Sequence, residues 1–415
     1  MNTGVKMAAF GFGAVALFLA GFIWSDVSTG QPPQVQQLKQ LVSPTARTLP
    51  TPTETFRENF TLIRNASAFE VEPEELRYGA MSGLMASLGD PHNVFLEPKV
   101  NEQFVLETQG DFVGIGARLS PNPLGARLVT VFPNGPAKRA GLQPGDVITE
   151  VDGRSTAGQE VDDIVTKIRG EAGTNVRLTI NREGEDSPLN FTIRRAQVII
   201  PIVEHKVLAD GKLGYISISQ FSETAPEQFD QALLDMAGRD VQGLVIDLRS
   251  NPGGLLNAAQ MMLGRFFDGK VVVRMRKRGD SEETAWTPRG RTMDLAMPIV
   301  ILINEESASA SEIFAGVMHD YERATLLGEH TYGKASVQNL IPLSDGSAAK
   351  VTIAAYYLPE SDDISRRVDE DGMYISGGIM PDIEVKLDVD ADTTIGDEET
   401  DSQLKAAVEF LLRRP

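Results

Sequence analysis

Short runs of aliphatic residues alternate with amphipathic stretches in the second half of the chain. Residues 243–248 and 298–304 are rich in Val, Ile and Leu and leave no room for a polar face. Such runs predict strands that are buried on both faces of a sheet. Residues 213–219 predict a further strand, and residues 225–237 have the apolar spacing of a helix. This alternation predicts an α/β core with a mixed sheet over residues 197–386.

The stretch from residue 105 to residue 196 has a different pattern, in which short strands follow one another around one helical run at residues 161–168. Near its start, two glycines leave backbone N–H groups open beside a strand. A peptide can add there as a further strand and place its terminal carboxylate on those groups. Two glycines alone would equally suit a strand turn. The candidate peptide-binding residues are Val113, Gly114, Ile115 and Gly116.

The N-terminal part of the chain predicts a membrane attachment. Residues 7–24 carry no charge and follow Lys6, which is the pattern of a signal peptide or of a single membrane-spanning anchor within residues 1–24. Residues 18–24 contain no clear small-x-small cleavage site, which favours the anchor. Either alternative places the rest of the chain outside the cytoplasm. Residues 25–53, rich in Pro, Gln, Ser and Thr, predict a flexible tether.

Helical patterns flank the two central units. Residues 54–104 predict an N-terminal helical segment, in which His92 is interpreted as a turn residue rather than a ligand. Residues 387–415 predict an acidic linker and a C-terminal helix, with the acidic run 388–401 exposed to solvent.

Composition restricts the classes of function. The net charge of −19 argues against a nucleic-acid partner. Because the chain has no cysteine, disulfides, thiolate metal sites and an acylated lipoprotein anchor are excluded. We predict no metal and no other cofactor. A length of 415 residues with 41% hydrophobic content is enough for two or three domains with cores of their own.

Three alternating serines, Ser307, Ser309 and Ser311, follow the second buried strand and precede a helical pattern. A serine at such a junction lies near free backbone N–H groups, but it becomes a nucleophile only when a base takes its proton. None of the four histidines lies in a stretch typical of a triad partner. The other solution is a lysine that burial keeps neutral, with a pKa below its ordinary value of about 10.4. Lys334, in a glycine-flanked and largely uncharged stretch, fits that role.

Paired glycines, Gly253 and Gly254, follow the first buried strand. They allow backbone N–H groups to converge on one point, as the oxyanion of a tetrahedral intermediate requires. The neighbouring Asp247 and Arg249 are interpreted as structural residues that hold this turn.

The order and spacing of these motifs resemble the carboxyl-terminal processing (tail-specific) serine proteases, and residues 105–196 resemble a PDZ domain. The resemblance covers most of the chain, although residues 358–376 depart from it and Ala335 stands where glycine is more usual. The residues that carry the resemblance in the core are 307–312, Arg323, Ala324, Gly328 and 331–338.

This resemblance implies a Ser–Lys dyad, in which Ser309 is the nucleophile and Lys334 is the base, oriented by the amide of Gln338. It also implies an oxyanion hole made by the backbone N–H groups of Gly253, preferred over its neighbour, and of Ala310.

The combined prediction is an α/β multidomain protein: a mixed-sheet Ser/Lys protease core with an inserted PDZ domain and an N-terminal helical segment. We expect a serine endopeptidase that cleaves proteins or peptides recruited through their C-termini. We expect it in the bacterial cell envelope, periplasmic or otherwise extracytoplasmic, and held at the membrane by its N-terminal segment. An activating adaptor and a homo-oligomer are left open.

Two alternatives belong to other classes. A catalytically silent PDZ scaffold would explain the binding domain, but not the serine, the lysine and the double glycine together. An enoyl-hydratase-like enzyme could use a similar sheet and oxyanion turn, but it would need neither a PDZ domain nor an exported N-terminus.

Overall fold

The computed structural model describes residues 51–360, 363–388 and 393–413. The described chain divides into two compact units, one up to Arg77 and the other from Tyr78 onward. Helix α1 (Pro52–Ala66) begins with a capping box, in which the Thr51 N–H donates to Glu54 Oε2 (2.8 Å) and the Glu54 N–H donates to Thr51 Oγ1 (3.3 Å). Helix α2 (Pro73–Ala86) spans the boundary.

The next elements along the chain are β1 (Val94–Leu96), α3 (Pro98–Gln109), β2 (Asp111–Gly114), β3 (Ala117–Asn122), β4 (Gly125–Val131), α4 (Pro136–Ala140), β5 (Val147–Val151), β6 (Arg154–Ser155), α5 (Val161–Ile168), β7 (Asn175–Asn181), β8 (Leu189–Arg194) and β9 (Ala196–Ile199). Strand β1 pairs with a strand of the larger body, while the elements from β2 onward build a small β-rich body. An antiparallel sheet has the order β3-β4-β5-β7-β8, with β6 paired to β5, while β2 pairs with β9 alone. Ile148, Ile164 and Leu178 lie at its buried core.

The remaining elements build the larger body. They are β10 (Val203–Leu208), β11 (Leu213–Ile218), α6 (Ala225–Gly238), β12 (Gly243–Asp247), α7 (Leu256–Leu263), β13 (Val271–Lys277), β14 (Glu282–Trp286), β15 (Ile299–Ile303), α8 (Ala310–Asp320), β16 (Thr325–Gly328), β17 (Ser336–Pro342), β18 (Ala348–Tyr357), β19 (Arg367–Val368), β20 (Tyr374–Ser376), β21 (Ile383–Glu384) and α9 (Ser402–Arg413).

The central sheet of this body has the order β10-β11-β12-β15-β16-β21. Its strands are parallel except β10, which runs antiparallel to β11. A second, antiparallel sheet has the order β1-β18-β13-β14, and β17 also pairs with β18. The predicted fold class is therefore confirmed. Residues 358–376, which departed from the family pattern, carry the short β19–β20 hairpin.

The central strands of this sheet are covered on both faces, as the buried and largely apolar strands β12 and β15 require. Leu244 and Ile246 of β12 belong to the same buried cluster as side chains of helices α6, α7 and α8. Val245, which points to the opposite face, packs in a separate cluster with residues of α9. Because the strands are parallel, the turns at their carboxyl ends meet at one edge, and both candidate motifs lie there.

A buried arginine joins the carboxyl end of β12 to helix α9. Arg249 forms ion pairs of 2.6 Å with both Asp247 and Asp401, and its Nη1 donates to Gln403 Oε1 (2.9 Å). The Tyr215 hydroxyl also donates to Asp247 (2.8 Å). These contacts give Asp247 and Arg249 the structural role that the sequence indicated.

The expectation of a fully exposed acidic run at residues 388–401 is wrong at its last residue. Asp401 is completely buried, because Arg249 pairs with it and the N–H groups of Gly396 and Gln403 donate to it. Burial acts to raise the pKa of Asp401, but the hydrogen bond and charge of Arg249 outweigh burial and lower it below its ordinary value.

In the ranges that the structure covers, no helix is both long enough and apolar enough to cross a bilayer. Residues 7–24, the predicted signal peptide or anchor, and most of the predicted tether at residues 25–53 lie outside the described residues.

Removing the Arg249 guanidinium leaves two buried carboxylates without their cation. We therefore expect Arg249→Ala to lower the free energy of unfolding by about 3–5 kcal/mol, measured by urea denaturation. Arg413→Ala is the control, because Arg413 pairs with Glu409 on the exposed surface of α9 and its loss costs less than about 0.5 kcal/mol. Equal, small losses in both variants would contradict a structural role for Arg249.

Candidate active site

Ser307 and Ser309 lie in the turn between β15 and α8, and Ser311 lies in the first turn of α8. The outer two serines have structural contacts. The Ser307 hydroxyl donates to the Leu248 carbonyl (2.8 Å), and the Ser311 hydroxyl donates to the Asn251 carbonyl (2.9 Å). Both side chains are fully buried, whereas Ser309 is partly exposed. The turn therefore leaves Ser309 as the serine that a substrate can reach.

Ser309 has a backbone conformation that L-residues rarely adopt, with φ 54° and ψ −113°. Such a conformation costs about 1–3 kcal/mol and persists only where neighbouring contacts enforce it. Here the Ala308 N–H donates to the Asn251 carbonyl (3.0 Å), and the Ser309 N–H donates to Glu312 Oε2 (2.8 Å). The backbone N–H groups of two consecutive residues, Ala308 and Ser309, therefore hold Ser309 in its strained conformation.

The carboxylate of Glu312 is fully buried and accepts four hydrogen bonds. Its Oε1 accepts from the Thr331 hydroxyl and the Gly333 N–H, both at 2.6 Å. Its Oε2 accepts from the N–H groups of Ser309 (2.8 Å) and Lys334 (2.9 Å). Burial raises the pKa of Glu312, and these hydrogen bonds oppose that rise.

One oxygen atom therefore joins the two halves of the predicted dyad. Because the N–H groups of Ser309 and Lys334 both donate to Glu312 Oε2, their nitrogen atoms lie within about 6 Å of each other. Sequence reasoning did not single out Glu312. The signal was present, since a serine followed three residues later by glutamate at a helix start is the capping-box pattern.

The loop that carries Lys334 has a conformation that depends on glycine. Gly333 has φ +89°, and a Cβ there would lie within 3.0 Å of the Arg366 and Gly378 nitrogens and of the Ile364 oxygen. The loop is also joined to the serine turn, because the Tyr332 N–H donates to the Ser307 carbonyl (3.0 Å). The position of the lysine is therefore coupled to that of the serine.

Lys334 is half-buried, and its pKa is lowered, first by burial and then by the charge of Lys350. Glu312 and Asp90 act in the opposite direction, without reversing the shift. No hydrogen bond joins the side chains of Ser309 and Lys334 in the described part of the chain. Such bonds are often long before substrate binds and shorten in the substrate complex.

The turn at residues 90–92 is confirmed, with the His92 N–H donating to Asp90 Oδ1 (2.8 Å), but it also lies beside the lysine. Asp90 accepts a hydrogen bond from the Thr352 hydroxyl (2.5 Å). Burial and the charge of Lys334 lower the pKa of His92. The segment before the small β-rich body thus contributes polar groups to the lysine environment, which the sequence did not indicate.

Gln338 lies on β17, opposite Thr352 of β18. Its amide nitrogen donates to Ser336 Oγ (2.8 Å) and to Thr352 Oγ1 (3.3 Å). Among the described residues, its amide oxygen accepts no hydrogen bond. The orientation of Gln338 is therefore set by its nitrogen, and its oxygen is available to an ammonium group.

The two candidate oxyanion donors differ in their present partners. The Gly253 N–H donates to the Asn251 side chain (2.9 Å), whereas no partner of the Gly254 and Ala310 N–H groups is found in the described ranges. Gly253 has φ +99°, and a Cβ there would lie 2.6 Å from the Ala308 oxygen and 2.9 Å from the Ala310 nitrogen. The glycine turn and the serine turn are therefore in direct contact.

The candidate peptide-binding residues lie where β2 leads into β3. Val113 and Gly114 pair with Gln197 and Ala196 of β9, and Ile115 and Gly116 form the link to β3. The carbonyl of Ile115 accepts from the Ala137 N–H (2.7 Å), and that of Gly116 accepts from the Phe132 N–H (3.0 Å).

Replacing one oxygen of Glu312 by an amide nitrogen places N–H groups against N–H groups. We therefore expect Glu312→Gln to lower the free energy of unfolding by about 1–3 kcal/mol and the rate of peptide cleavage by about a hundredfold. Glu306→Gln, an exposed carboxylate in the same turn, is the control and leaves both quantities near their original values. An unchanged cleavage rate in Glu312→Gln would show that this carboxylate is dispensable.

Comparison with known proteins bears on most of the chain. The model of peptidase family S41 matches residues 212–385, and a PDZ domain model matches residues 128–182. The carboxy-terminal-processing protease of Bartonella bacilliformis is 33% identical over 364 residues, which cover 85% of this chain and 81% of that protein. The carboxy-terminal processing protease CtpB of Bacillus subtilis is 33% identical over 331 residues, which cover 79% of this chain but only 66% of that protein.

A solved structure, the photosystem II D1 C-terminal processing protease, aligns over 81% of this chain and 94% of its own length. Its sequence identity is 27% and its TM-score is 0.44, so the superposition is too loose to add to the sequence match. The two family models match residues in both the small β-rich body and the larger body, and the protease model includes the two motifs at the sheet edge. The chain belongs to the carboxy-terminal-processing serine proteases of peptidase family S41, and it carries a PDZ domain.

Proposed function

We propose that the protein is an endopeptidase with a Ser309–Lys334 dyad, which cleaves chains delivered by their C-termini to the PDZ domain. The observation that carries this proposal is the shared acceptor, Glu312 Oε2, which holds the backbones of the serine and the lysine together. Membership of a protease family removes the basis of the hydratase alternative.

In the proposed mechanism, neutral Lys334 takes the proton of the Ser309 hydroxyl, and the alkoxide attacks the substrate carbonyl. The protonated lysine then gives its proton to the leaving amine. Water hydrolyses the acyl-enzyme with the lysine again acting as base. The lowered pKa of Lys334 supports this role, because burial and the charge of Lys350 favour the neutral amine. The free amide oxygen of Gln338 suits an acceptor that orients the ammonium between these steps.

The oxyanion of the tetrahedral intermediate would be stabilised by backbone N–H groups at the contact of the two turns. The Ala310 N–H, at the start of α8, also benefits from the helix dipole. The sequence favours Gly253 as the second oxyanion donor, but its N–H must first give up its hydrogen bond to Asn251. The Gly254 N–H has no such bond to give up, so Gly254 is the alternative second donor.

Recruitment by the C-terminus is supported by the PDZ family match and by the link between β2 and β3, where Val113, Gly114, Ile115 and Gly116 lie. A PDZ domain binds an extended peptide by adding it to a sheet edge and capturing its carboxylate on backbone N–H groups. The same polypeptide then carries the binding site and the cleavage site.

The proposed location is the bacterial cell envelope, periplasmic or otherwise extracytoplasmic, with the chain held at the membrane by residues 1–24. The uncharged stretch at residues 7–24 and the polar tether at residues 25–53 support it. The tether would give the protease reach to substrates near the membrane. An activating adaptor and a homo-oligomer are compatible with this arrangement.

Cleavage of an unstructured peptide with an apolar C-terminus tests the dyad. The soluble protein from residue 31 is compared with its Ser309→Ala and Lys334→Ala variants. Each substitution removes one member of a unit that acts together, so we expect each to lower kcat by about a thousandfold or more. Peptide binding, measured by fluorescence anisotropy, remains unchanged.

Ser311→Ala and a fluorophosphonate probe serve as controls in this experiment. The probe labels the wild type at Ser309 and fails to label Ser309→Ala. Cleavage that survives in Ser309→Ala assigns the nucleophile to another serine. Peptide binding by the wild type with neither cleavage nor labelling supports the catalytically silent scaffold.

The pH dependence of cleavage tests the base. Lys334 acts only when neutral, so kcat/KM rises as pH increases through its lowered pKa and then reaches a plateau. Lys334→Arg keeps the charge but does not lose its proton in this range, so it is inactive at every pH. A flat wild-type profile from mildly acidic to alkaline pH would contradict the role of Lys334.

A further inference from the structure

The amide of Gln338 lies at one end of a short chain of side-chain hydrogen bonds. Its Nε2 donates to Thr352 Oγ1 (3.3 Å), and the Thr352 hydroxyl donates to Asp90 Oδ2 (2.5 Å). The same Nε2 donates to Ser336 Oγ (2.8 Å). Both N–H groups of the amide therefore have partners, while its oxygen has no donor in the ranges that the structure describes.

The backbone of Thr352 is held from two sides. Its N–H donates to Oδ1 of Asn93, a buried side chain (2.7 Å), and strand β1, which begins at the next residue, pairs with β18. On the other side, the β17–β18 register shifts between Val337 and Gln338, and this bulge sets Gln338 opposite Thr352. Thr352 is therefore bonded both to the turn before β1 and to the strand that carries Gln338.

Asp90 sets the direction of this chain of hydrogen bonds. An ionised carboxylate accepts hydrogen bonds and cannot donate one. Burial acts to raise the pKa of Asp90, but the hydrogen bonds from the Thr352 hydroxyl and the His92 N–H outweigh burial and lower the pKa below its ordinary value. The hydroxyl hydrogen of Thr352 is thus used on Asp90, and its oxygen accepts from Gln338. A reversed amide would place two oxygen atoms together with no hydrogen between them.

The direction matters because the two ends of an amide act differently on an amine. A neutral amine has two N–H groups and one lone pair, and a general base needs that lone pair to take a proton. An amide oxygen accepts one N–H and leaves the lone pair for the serine hydroxyl. An amide nitrogen would instead donate to the lone pair and occupy it.

We propose that Thr352 and Asp90 are positioning residues that hold the Gln338 amide with its oxygen, rather than its nitrogen, free for Lys334. This inference rests on the proposed role of Gln338 in orienting the base. It gives the turn before β1, which precedes the PDZ domain in the chain, a part in arranging the catalytic groups.

The first test measures peptide cleavage by Thr352→Val, which keeps the shape of the side chain and removes the hydroxyl. Its remaining partner, the Ser336 hydroxyl, can donate or accept, so the amide can reverse. We expect kcat on the alkaline plateau to fall about tenfold, with KM within about twofold of the wild type. Thr352→Ser restores the hydroxyl and the rate. Thr284→Val makes the same substitution on β14 of the same sheet and leaves both constants unchanged.

A double-mutant cycle with Gln338→Ala separates positioning from a general loss of stability. If Thr352 acts through Gln338, adding Thr352→Val to Gln338→Ala lowers kcat by less than about a further twofold. Losses that multiply in the double variant overturn the inference. A Thr352→Ser variant that stays as slow as Thr352→Val overturns it as well, because the hydroxyl would then not be the cause.

Asp90→Asn tests the direction of the chain while keeping the threonine, and it replaces Thr352→Val if that variant does not fold. Asparagine can donate to Thr352, which allows the Thr352 hydroxyl to donate to a reversed amide. We expect kcat to fall about fivefold, and to fall no further in the Gln338→Ala background. Rates are compared on the alkaline plateau, because Asp90 also favours the protonated form of Lys334. An unchanged kcat in Asp90→Asn overturns the inference.

The same variants separate this inference from the proposed function. Full activity in Gln338→Ala overturns the inference together with the orienting role of Gln338, while the losses expected in Ser309→Ala and Lys334→Ala still support the dyad. A slow Gln338→Ala with fully active Thr352→Val overturns the positioning role of Thr352 alone.

Discussion

The carboxylate of Glu312 is the constraint on which the candidate site depends. The serine and the lysine come from different turns, and neither turn is regular secondary structure. Glu312 Oε2 accepts one N–H from each, and Oε1 accepts from Thr331 and Gly333 at the base of the lysine loop. Four donors converge on one rigid group that is fixed on the first turn of a helix. The separation of the two turns is therefore set by hydrogen-bond lengths rather than by side-chain packing.

The same contacts explain how a strained residue persists. Ser309 occupies a backbone conformation that costs free energy, and in isolation the turn would relax. Its N–H is held by Glu312, and the residue before it is held by the Asn251 carbonyl. Asn251 in turn belongs to the glycine turn, where Gly253 leaves no room for a side chain beside Ala308. The strain is thus supported by the two motifs of the protease family together.

The fold and the two motifs could be predicted from local patterns, because the runs of aliphatic residues within 243–248 and 298–304 have few structural alternatives. The polar contacts between residues far apart in the sequence could not be predicted in this way. Asp401 looks like part of a solvated run until Arg249, far away in sequence, is placed against it. The contact of Gln338 with Thr352 depends on the register of β17 and β18, which no local pattern sets. Glu312 was locally visible as a capping box, but three of its four donors, Thr331, Gly333 and Lys334, come from another loop.

The buried groups around Arg249 and those around Glu312 use charge in opposite ways, and the difference bears on the chemistry. Arg249 is held by two carboxylates, so its positive charge has an opposite charge on two sides. Glu312 is held by three backbone N–H groups and one hydroxyl, so its charge is satisfied without a cation. A carboxylate that needs no counter-ion does not require the nearby Lys334 to be protonated. The backbone donors of Glu312 thus reduce its need for a positive charge nearby, which suits the neutral Lys334 of the proposed dyad.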